Sequence, residues 1–270
     1  MLALLQELRD IVEQIDYARA FMAMGGIPFL LGCATHRAAA ADGTALPMSL
    51  RKGTLGVLST MCQNNPPVQL SLLEHGHMPQ LIQILLDYTP DNECGNDGDD
   101  ALRKKAVQAL SASARGHDMA EHIFCQNELG KVVLQLGLGM QNTTQPKPAA
   151  PLRRRSLFLL RALLTADEAT EERPAQFRYV ISFVCTHGID ELWEEEAEIR
   201  EMGLTMLTQL LPHPLIATAI LAHKSRIGAV GVGRIAAIRG LTEGSEERDY
   251  GTLELDAWEA LLVALAEADK

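Results

Sequence analysis

The segment Gly231-Val232-Gly233-Arg234-Ile235-Ala236 spells the G-x-G-x-x-A core of a dinucleotide fingerprint, in which glycines let the backbone approach a pyrophosphate. That chemistry needs a strand before the motif and a βαβ unit around it. Neither is visible this late in a chain with helical periodicity, so the segment reads as a glycine-interrupted helix or turn. The sequence holds no Walker A motif, no GxSxG elbow and no HExxH pair. His75 and His77 flank Gly76 with no Cys or further His nearby to complete a metal set. His117 and His122 stand five apart, which is wrong for one helical face. All eight histidines read as structural or solvated. No catalytic residue, metal or cofactor is expected, and the chain reads as a non-enzyme.

Charge patterns carry more. Arg51 and Lys52, then Arg103, Lys104 and Lys105, then Arg153, Arg154 and Arg155 recur at one point of three successive segments. Stacked repeats would align them as a basic ladder on one face, or leave them as solvated helix ends. Helix N-termini ordinarily favour acids, which tilts the reading toward a binding role. Asp190, Glu191, Glu194, Glu195, Glu196, Glu198 and Glu201 surround Trp193 without the spacing of an EF-hand. They read as a solvated helix start, with an acidic patch for a basic partner as the alternative.

The elements that position these residues are helical. Leu50, Leu55, Leu58 and Met61 recur at helix spacing, as do Leu102, Ala106, Ala109, Leu110 and Ser113. Leu152, Leu157, Leu159, Leu160, Leu163 and Leu164 do the same, and alternating strand patterns are absent. An aliphatic residue followed by Arg heads four of the helices, at 50, 102, 152 and 199, spaced by 52, 50 and 47. Between these heads fall glycine breaks, at Gly25-Gly26, Gly76 and Gly188, with Gly130 in a shifted slot. A period of roughly 40–47 residues with two or three helices each is the armadillo/HEAT signature. Segments 35–49, 87–100, 141–151 and 166–174 read as solvent loops between repeats.

The expected fold is therefore all-α, a right-handed α-solenoid of about four armadillo repeats with helical caps. Residues 1–212 form the repeats, beginning with an amphipathic helix over 1–16. Residues 213–270 form a C-terminal cap of the same domain, ending in an amphipathic helix over 253–265.

Composition bounds the function classes. The chain has 270 residues, 47% hydrophobic, and a net charge of −11 with pI near 5.2, which disfavours non-specific nucleic-acid binding. No apolar run approaches the ~20 residues of a membrane span. Cys33, Cys62, Cys94, Cys125 and Cys185 are odd in number and show no CxxC pair, as expected of free thiols in a reducing compartment.

One family resemblance follows from ordered motifs. Glu13-Gln14-Ile15-Asp16-Tyr17-Ala18-Arg19-Ala20-Phe21 resembles the E-x-x-D-N-A-x-x-F stretch of the armadillo-type nucleotide exchange factors of heat shock protein 70. Leu58-Ser59-Thr60-Met61-Cys62-Gln63-Asn64-Asn65 resembles that family's G-T-x-x-Q-N segment. Leu102-Arg103-Lys104-Lys105-Ala106, Ala109-Leu110-Ser111 and Arg115 resemble its L-R-x-K-A-x-x-A-L-S-x-L-x-R helix. Leu152-Arg153-Arg154-Arg155 with Phe158-Leu159-Leu160 resembles its next helix of this type. Tyr17 stands for the usual Asn and Ser59 for the Gly, and the inter-repeat loops are longer. The family's flexible N-terminal segment, implicated in releasing substrate, would precede residue 1, which already lies in helical pattern.

The resemblance implies a cytoplasmic co-chaperone, monomeric, that binds the nucleotide-binding domain of heat shock protein 70 through a concave basic groove and accelerates ADP release. No nucleic acid or membrane is implied as partner. Ala18, through its small size, and Arg155 carry over as contact residues. Asn64, Arg103, Lys105 and Arg115 are groove neighbours by repeat geometry. The alternative is an armadillo scaffold for protein–protein interaction with no role in nucleotide exchange. An importin-like receptor is disfavoured, because Gly56, Gln108 and Phe158 stand where such proteins place a Trp ladder and Thr60, Ala112 and Ala162 where they place Asn.

Overall fold

The computed structural model describes residues 1–36, 46–86, 96–140, 147–166 and 172–268. All regular elements among them are helices, as the periodicity requires. The chain forms two compact units, Met1–Ser156 and Leu157–Lys270. This division by contacts is distinct from the boundary at 212/213 between repeats and cap expected above.

The first unit holds α1 (Leu2–Val12), α2 (Ile15–Ala23), α3 (Gly26–Thr35), α4 (Met48–Cys62), α5 (Pro66–Glu74), α6 (Met78–Leu86), α7 (Asn96–Ala114), α8 (Asp118–Gln126), α9 (Glu128–Leu138) and the start of α10 (Ala150–Leu164). Each helix packs on the one three places later: α1 on α4 and α4 on α7, α2 on α5 and α5 on α8, α3 on α6 and α6 on α9. That register is a stacked three-helix repeat, a helical solenoid in its local packing. Gly25 (φ 85°) and Gly76 (φ 73°) sit at helix breaks in the left-handed region, where a side chain would be strained. Leu55, Leu58, Met61, Ala106, Ala109 and Leu110 are fully buried along α4 and α7, and each leucine so buried contributes about 1.5–3 kcal/mol.

Two boundaries differ from the sequence reading. The helix expected over 1–16 is broken at residues 13–14 between α1 and α2, and α7 begins at Asn96, inside the segment expected as the loop 87–100. The polar pattern of 96–100 hid a helix start whose apolar face begins only at Leu102. The centres of all four expected loops, 37–45, 87–95, 141–146 and 167–171, and also Cys94, lie outside the described residues. Cys33, Cys62, Cys125 and Cys185 are not in disulfides, and burial pushes the Cys62 and Cys185 thiols up to about 12.

The arginine that heads each stacked helix turns inward. Arg51 is 8% exposed and its Nε donates to the Ala34 carbonyl at 2.8 Å, in the last turn of α3. Arg103 is 3% exposed, and its Nε donates to the Leu85 carbonyl of α6 at 3.1 Å while its Nη1 pairs with Asp100 at 2.9 Å. Arg153, likewise buried, donates to the Pro148 carbonyl. The last carbonyls of a helix have no intrahelical donor, and a guanidinium supplies several donors on one rigid fork. In the expected ladder of bases, the first arginine of each group is therefore a buried structural clamp and not a solvent-facing base.

The second unit continues α10 and adds α11 (Glu172–Gln176), α12 (Arg178–Phe183) running into a π-helical turn (Val184–Gly188), α13 (Ala197–Leu210), α14 (Pro214–Leu221), α15 (Lys224–Arg239) and α16 (Glu246–Glu267). Gly231 lies within α15 beneath Trp258, where an added Cβ would meet the indole at 2.8 Å. The Gly231–Ala236 motif is thus an uninterrupted helix preceded by another helix, and its glycine serves packing. Arg200 of α13 repeats the clamp: its Nη1 donates to the carbonyls of Glu194 and Glu195, and its Nε and Nη2 grip Glu254 at 2.8 and 2.7 Å. Arg234 adds a second pair of donors to the Glu254 carboxylate. The acids of 190–201 are not uniformly a solvated helix start, for Glu194 is fully buried, Asp190 pairs with Arg226 and Glu191 with Arg234.

Two predictions follow from these clamps. Replacing Arg103 by Leu strands the Leu85 carbonyl and leaves Asp100 with the Ala149 amide but without its counter-charge, and should cost about 1–3 kcal/mol by urea denaturation, whereas Lys104→Ala stays within about 0.5 kcal/mol. At Glu254, burial pushes the carboxyl up, but the hydrogen bonds and charges of Arg200 and Arg234 outweigh it and hold it below 4.5. A depressed carboxyl stabilises above its unfolded value and loses that contribution as pH falls from 4.5 through its folded value. Glu254→Gln should therefore cost about 3–5 kcal/mol at pH 7, and its deficit against the parent should shrink as urea titrations are repeated below pH 4.5.

Candidate partner-binding cleft

Two clefts of the first unit are lined by residues of the stacked helices. One, of about 380 Å³, is lined by Ser59 of α4, Gln63 and Asn64 just after it, Gln108, Ser111 and Ala112 of α7, Arg115 and Gly116 just after it, and Arg155 of α10. The second, of about 450 Å³, is lined by Leu2, Leu5, Gln6 and Arg9 of α1, Lys52, Gly53 and Gly56 of α4, and Ala101, Lys104 and Lys105 of α7. The α7 residues 101, 104, 105, 108, 111 and 112, with Arg115 just past its end, form one helical stripe, so a single face of α7 runs through both clefts.

The helix ends are held by side chains rather than by long loops. Asn64 adopts φ 51°, a left-handed conformation that Asn tolerates better than most residues. It reverses the chain so that Asn65 turns inward, 1% exposed, and accepts from Arg19 Nε at 3.3 Å. Gln69 of α5, fully buried, donates to the carbonyls of Ala112 and Arg115 at 2.9 and 2.8 Å and closes the last turn of α7. Arg115 Nε in turn donates to Ser111 Oγ at 2.9 Å, and Lys105 donates to Gln108 at 3.2 Å. Arg9 donates to Thr60 Oγ1 at 3.0 Å and so leans over α4.

The electrostatics are those of crowded cations. The Lys105 ammonium lies below its ordinary value because of burial and then the charges of Arg9, Lys104, Arg155 and Lys52. Arg115 is lowered by burial and by Arg155, partly offset by Glu121, and Arg155 by burial and by Arg154. Among the described residues, neither set of lining residues includes a carboxylate. In a chain of net charge −11 this is a local positive field.

Of the sequence-derived candidates, the structure brings Asn64, Arg115 and Arg155 into one cleft and Lys105 into the next. It does not bring Ala18 or Arg103 there. Ala18 is 1% exposed within α2, and Arg103 is 3% exposed as a helix clamp, so neither offers surface to a partner. Repeat geometry placed Arg103 wrongly because one residue's shift along a helix rotates a side chain by about 100°. Ser59, Gln63, Gln108 and Arg9 line the clefts without having been selected. The signal available for Ser59 was its equivalence to Ser111, four residues before Arg115, in the next repeat. Among the histidines, His117 accepts from the Ala120 amide at the start of α8 and His75 Nδ1 meets the Ser71 carbonyl, both local roles. No single described helix is long and apolar enough to cross a membrane.

Mutual repulsion in this cluster has a measurable consequence. Lys105 titrates below its unfolded value, so folding is opposed while it is charged, and stability rises with pH through that interval. Lys105→Gln should raise the urea midpoint at neutral pH and low salt. The part of that gain due to repulsion should fade in ~1 M salt, where the screening length is about 3 Å, while the part due to burial remains.

No protein-family model matches the chain. In fold it is similar to an engineered protein whose crystal structure comes from the Northeast Structural Genomics Consortium, with a TM-score of 0.53 at 11% identity over 99% of this chain and 90% of that one. In sequence it is 26% identical over 165 residues to the Hsp70 nucleotide exchange factor FES1 of Mycosarcoma maydis. That alignment covers 61% of this chain and 38% of the relative, so the chain spans well under half of that protein's length. The family resemblance carried by the motifs around Asp16, Gln63, Leu102 and Leu152 is borne out by this relative: the chain is similar to an Hsp70 nucleotide exchange factor.

Proposed function

We propose that this protein is an armadillo-type co-chaperone that binds the nucleotide-binding domain of heat shock protein 70 and accelerates release of ADP. The observation that carries the reading is the cationic face shared by α4, α7 and α10, with Asn64, Lys105, Arg115 and Arg155 along it, in a chain similar to a curated exchange factor. The contribution of this chain is binding energy rather than bond chemistry. A rigid stack of helices that fits the chaperone domain best when its two lobes are apart stabilises the open state. ADP touches both lobes and so favours the closed one. Linkage then makes the two ligands oppose each other by the same factor in both directions. In this reading the cytoplasm is the site of action, the protein works as a monomer, and the basic face meets an acidic surface of the partner. Ala18 and Arg103 act from within, by holding the helices that display the face.

Stopped-flow release of a fluorescent ADP analogue from heat shock protein 70 tests this directly. Addition of the protein should accelerate release, and Arg155→Glu should reduce that acceleration at least tenfold while shifting folding stability by no more than about 0.5 kcal/mol. Unchanged release in the presence of folded parent protein rules out the exchange activity and leaves a scaffold. Equal acceleration by Arg155→Glu rules out the face.

A further inference from the structure

Gly56 sits in the interior of α4 with no packing neighbour that demands a glycine. An added Cβ there would meet nothing within 4 Å, whereas one at Gly53 would strike Leu5 at 2.9 Å and one at Gly137 would strike Ser156. The residue is nevertheless buried, and its carbonyl accepts from Thr60 Oγ1 at 3.2 Å. A mid-helix glycine weakens its helix relative to alanine, and here the fold gains no closer contact in return. The open space over Gly56 belongs to the cleft of about 450 Å³ between α1, α4 and α7.

Four cations from three helices line the same cleft: Arg9 of α1, Lys52 of α4, and Lys104 and Lys105 of α7. Arg9 is held by its hydrogen bond to Thr60 Oγ1, one turn beyond Gly56, and Lys105 by its bond to Gln108. Lys52 and Lys104, both half-buried, have neither a hydrogen bond nor an ion pair among the described residues. Burial, and then the charges of Arg9, Lys104, Arg155 and Lys52, lower the proton affinity of Lys105, a strain that an anion among these bases relieves. Leu2 and Leu5 of α1 add an apolar wall.

Converging charge above a floor of bare backbone suits a slender polyanion. A chain of phosphoryl groups is narrow, sets acceptor oxygens at short intervals and carries enough charge to engage all four bases. Glycine lets such a chain lie against α4, where a side chain would hold it off. A carboxylate at the tip of a partner's side chain reaches a lysine without that approach.

We propose that the cleft between α1, α4 and α7 binds the phosphate chain of a small polyphosphate ligand, with Arg9, Lys52, Lys104 and Lys105 neutralising it and Gly56 leaving room for it. The inference is independent of the chaperone reading, because the ligand needs only this chain.

Isothermal titration calorimetry of the full chain with inorganic tripolyphosphate, at constant ionic strength held by chloride, tests it. One saturable site per chain is expected. Lys52→Gln and Lys104→Gln should each weaken binding about tenfold, as for loss of one charge-assisted partner. Gly56→Leu should weaken it by about the same factor with every charge in place, which non-specific attraction to a basic surface does not produce. Lys131→Gln, which removes a cation of α9 outside the cleft, should leave binding unchanged. A nucleoside triphosphate run beside tripolyphosphate distinguishes the source of the chain. Tighter binding assigns it to a nucleotide whose base meets Leu2 and Leu5, and equal or weaker binding assigns it to free polyphosphate. Heats that fail to saturate, parent-like affinity in Lys104→Gln or in Gly56→Leu, or equal weakening by Lys131→Gln overturn the proposal. Gly56→Leu is judged only with a parent-like urea midpoint, and should it fail to fold, the comparison of Lys52→Gln and Lys104→Gln with Lys131→Gln decides.

Discussion

The exposed carbonyl end of a short helix is the constraint on which this architecture rests. Most helices of the first unit are between 9 and 15 residues long, so a large share of their carbonyls lies in a last turn without intrahelical donors. Stacking them buries those ends, and each buried orphan costs about 1–3 kcal/mol. The chain answers with one device used repeatedly: a long planar or amide-bearing side chain from a neighbouring layer reaches the open turn. Arg51 does so for α3, Arg103 for α6 and Gln69 for α7, and Arg200 does the equivalent for the segment leading into α13.

This device separates bases of identical type into two populations. The first arginine of each helical head is consumed in the interior, and the residues one or two places later emerge on the cleft-bearing face. Interior arginines need satisfied geometry, which explains Asp100 beside Arg103 and Glu254 beside Arg200. Burial first, and then repulsion from neighbouring bases, lowers the proton affinity of Lys105, Arg115 and Arg155 on that face. A folded chain that tolerates such repulsion gives up some stability at that face in exchange for a field that an anionic ligand can neutralise.

In the second unit charge is handled in the opposite way. Its acids are met by its own arginines: Asp190 by Arg226, Glu191 and Glu254 by Arg234, Glu259 by Arg239. The Glu254 carboxylate, gripped from two helices and touched by the Trp258 indole, ties α13, α15 and α16 together. What reads in sequence as a long acidic surface is in part an internal counter-charge.

The all-helical fold, the repeat heads near 50, 102, 152 and 199, and the glycine breaks at Gly25 and Gly76 were legible because periodicity and backbone permissiveness are local properties. Arg155, Arg115, Lys105 and Asn64 were expected on one repeat face; all four line the clefts, Asn64 exposed and the three bases half-buried. Which base of an Arg-Lys or Arg-Arg pair faces inward was not legible. The answer depends on the carbonyl that the previous repeat leaves open, some 17 or 18 residues away for Arg51 and Arg103. Sequence by itself determined the elements and their order, through side-chain pattern along each helix. Tertiary structure alone decided which polar groups are spent on closing helix ends and which remain to meet a ligand, because hydrogen-bond satisfaction is settled between layers and not within them.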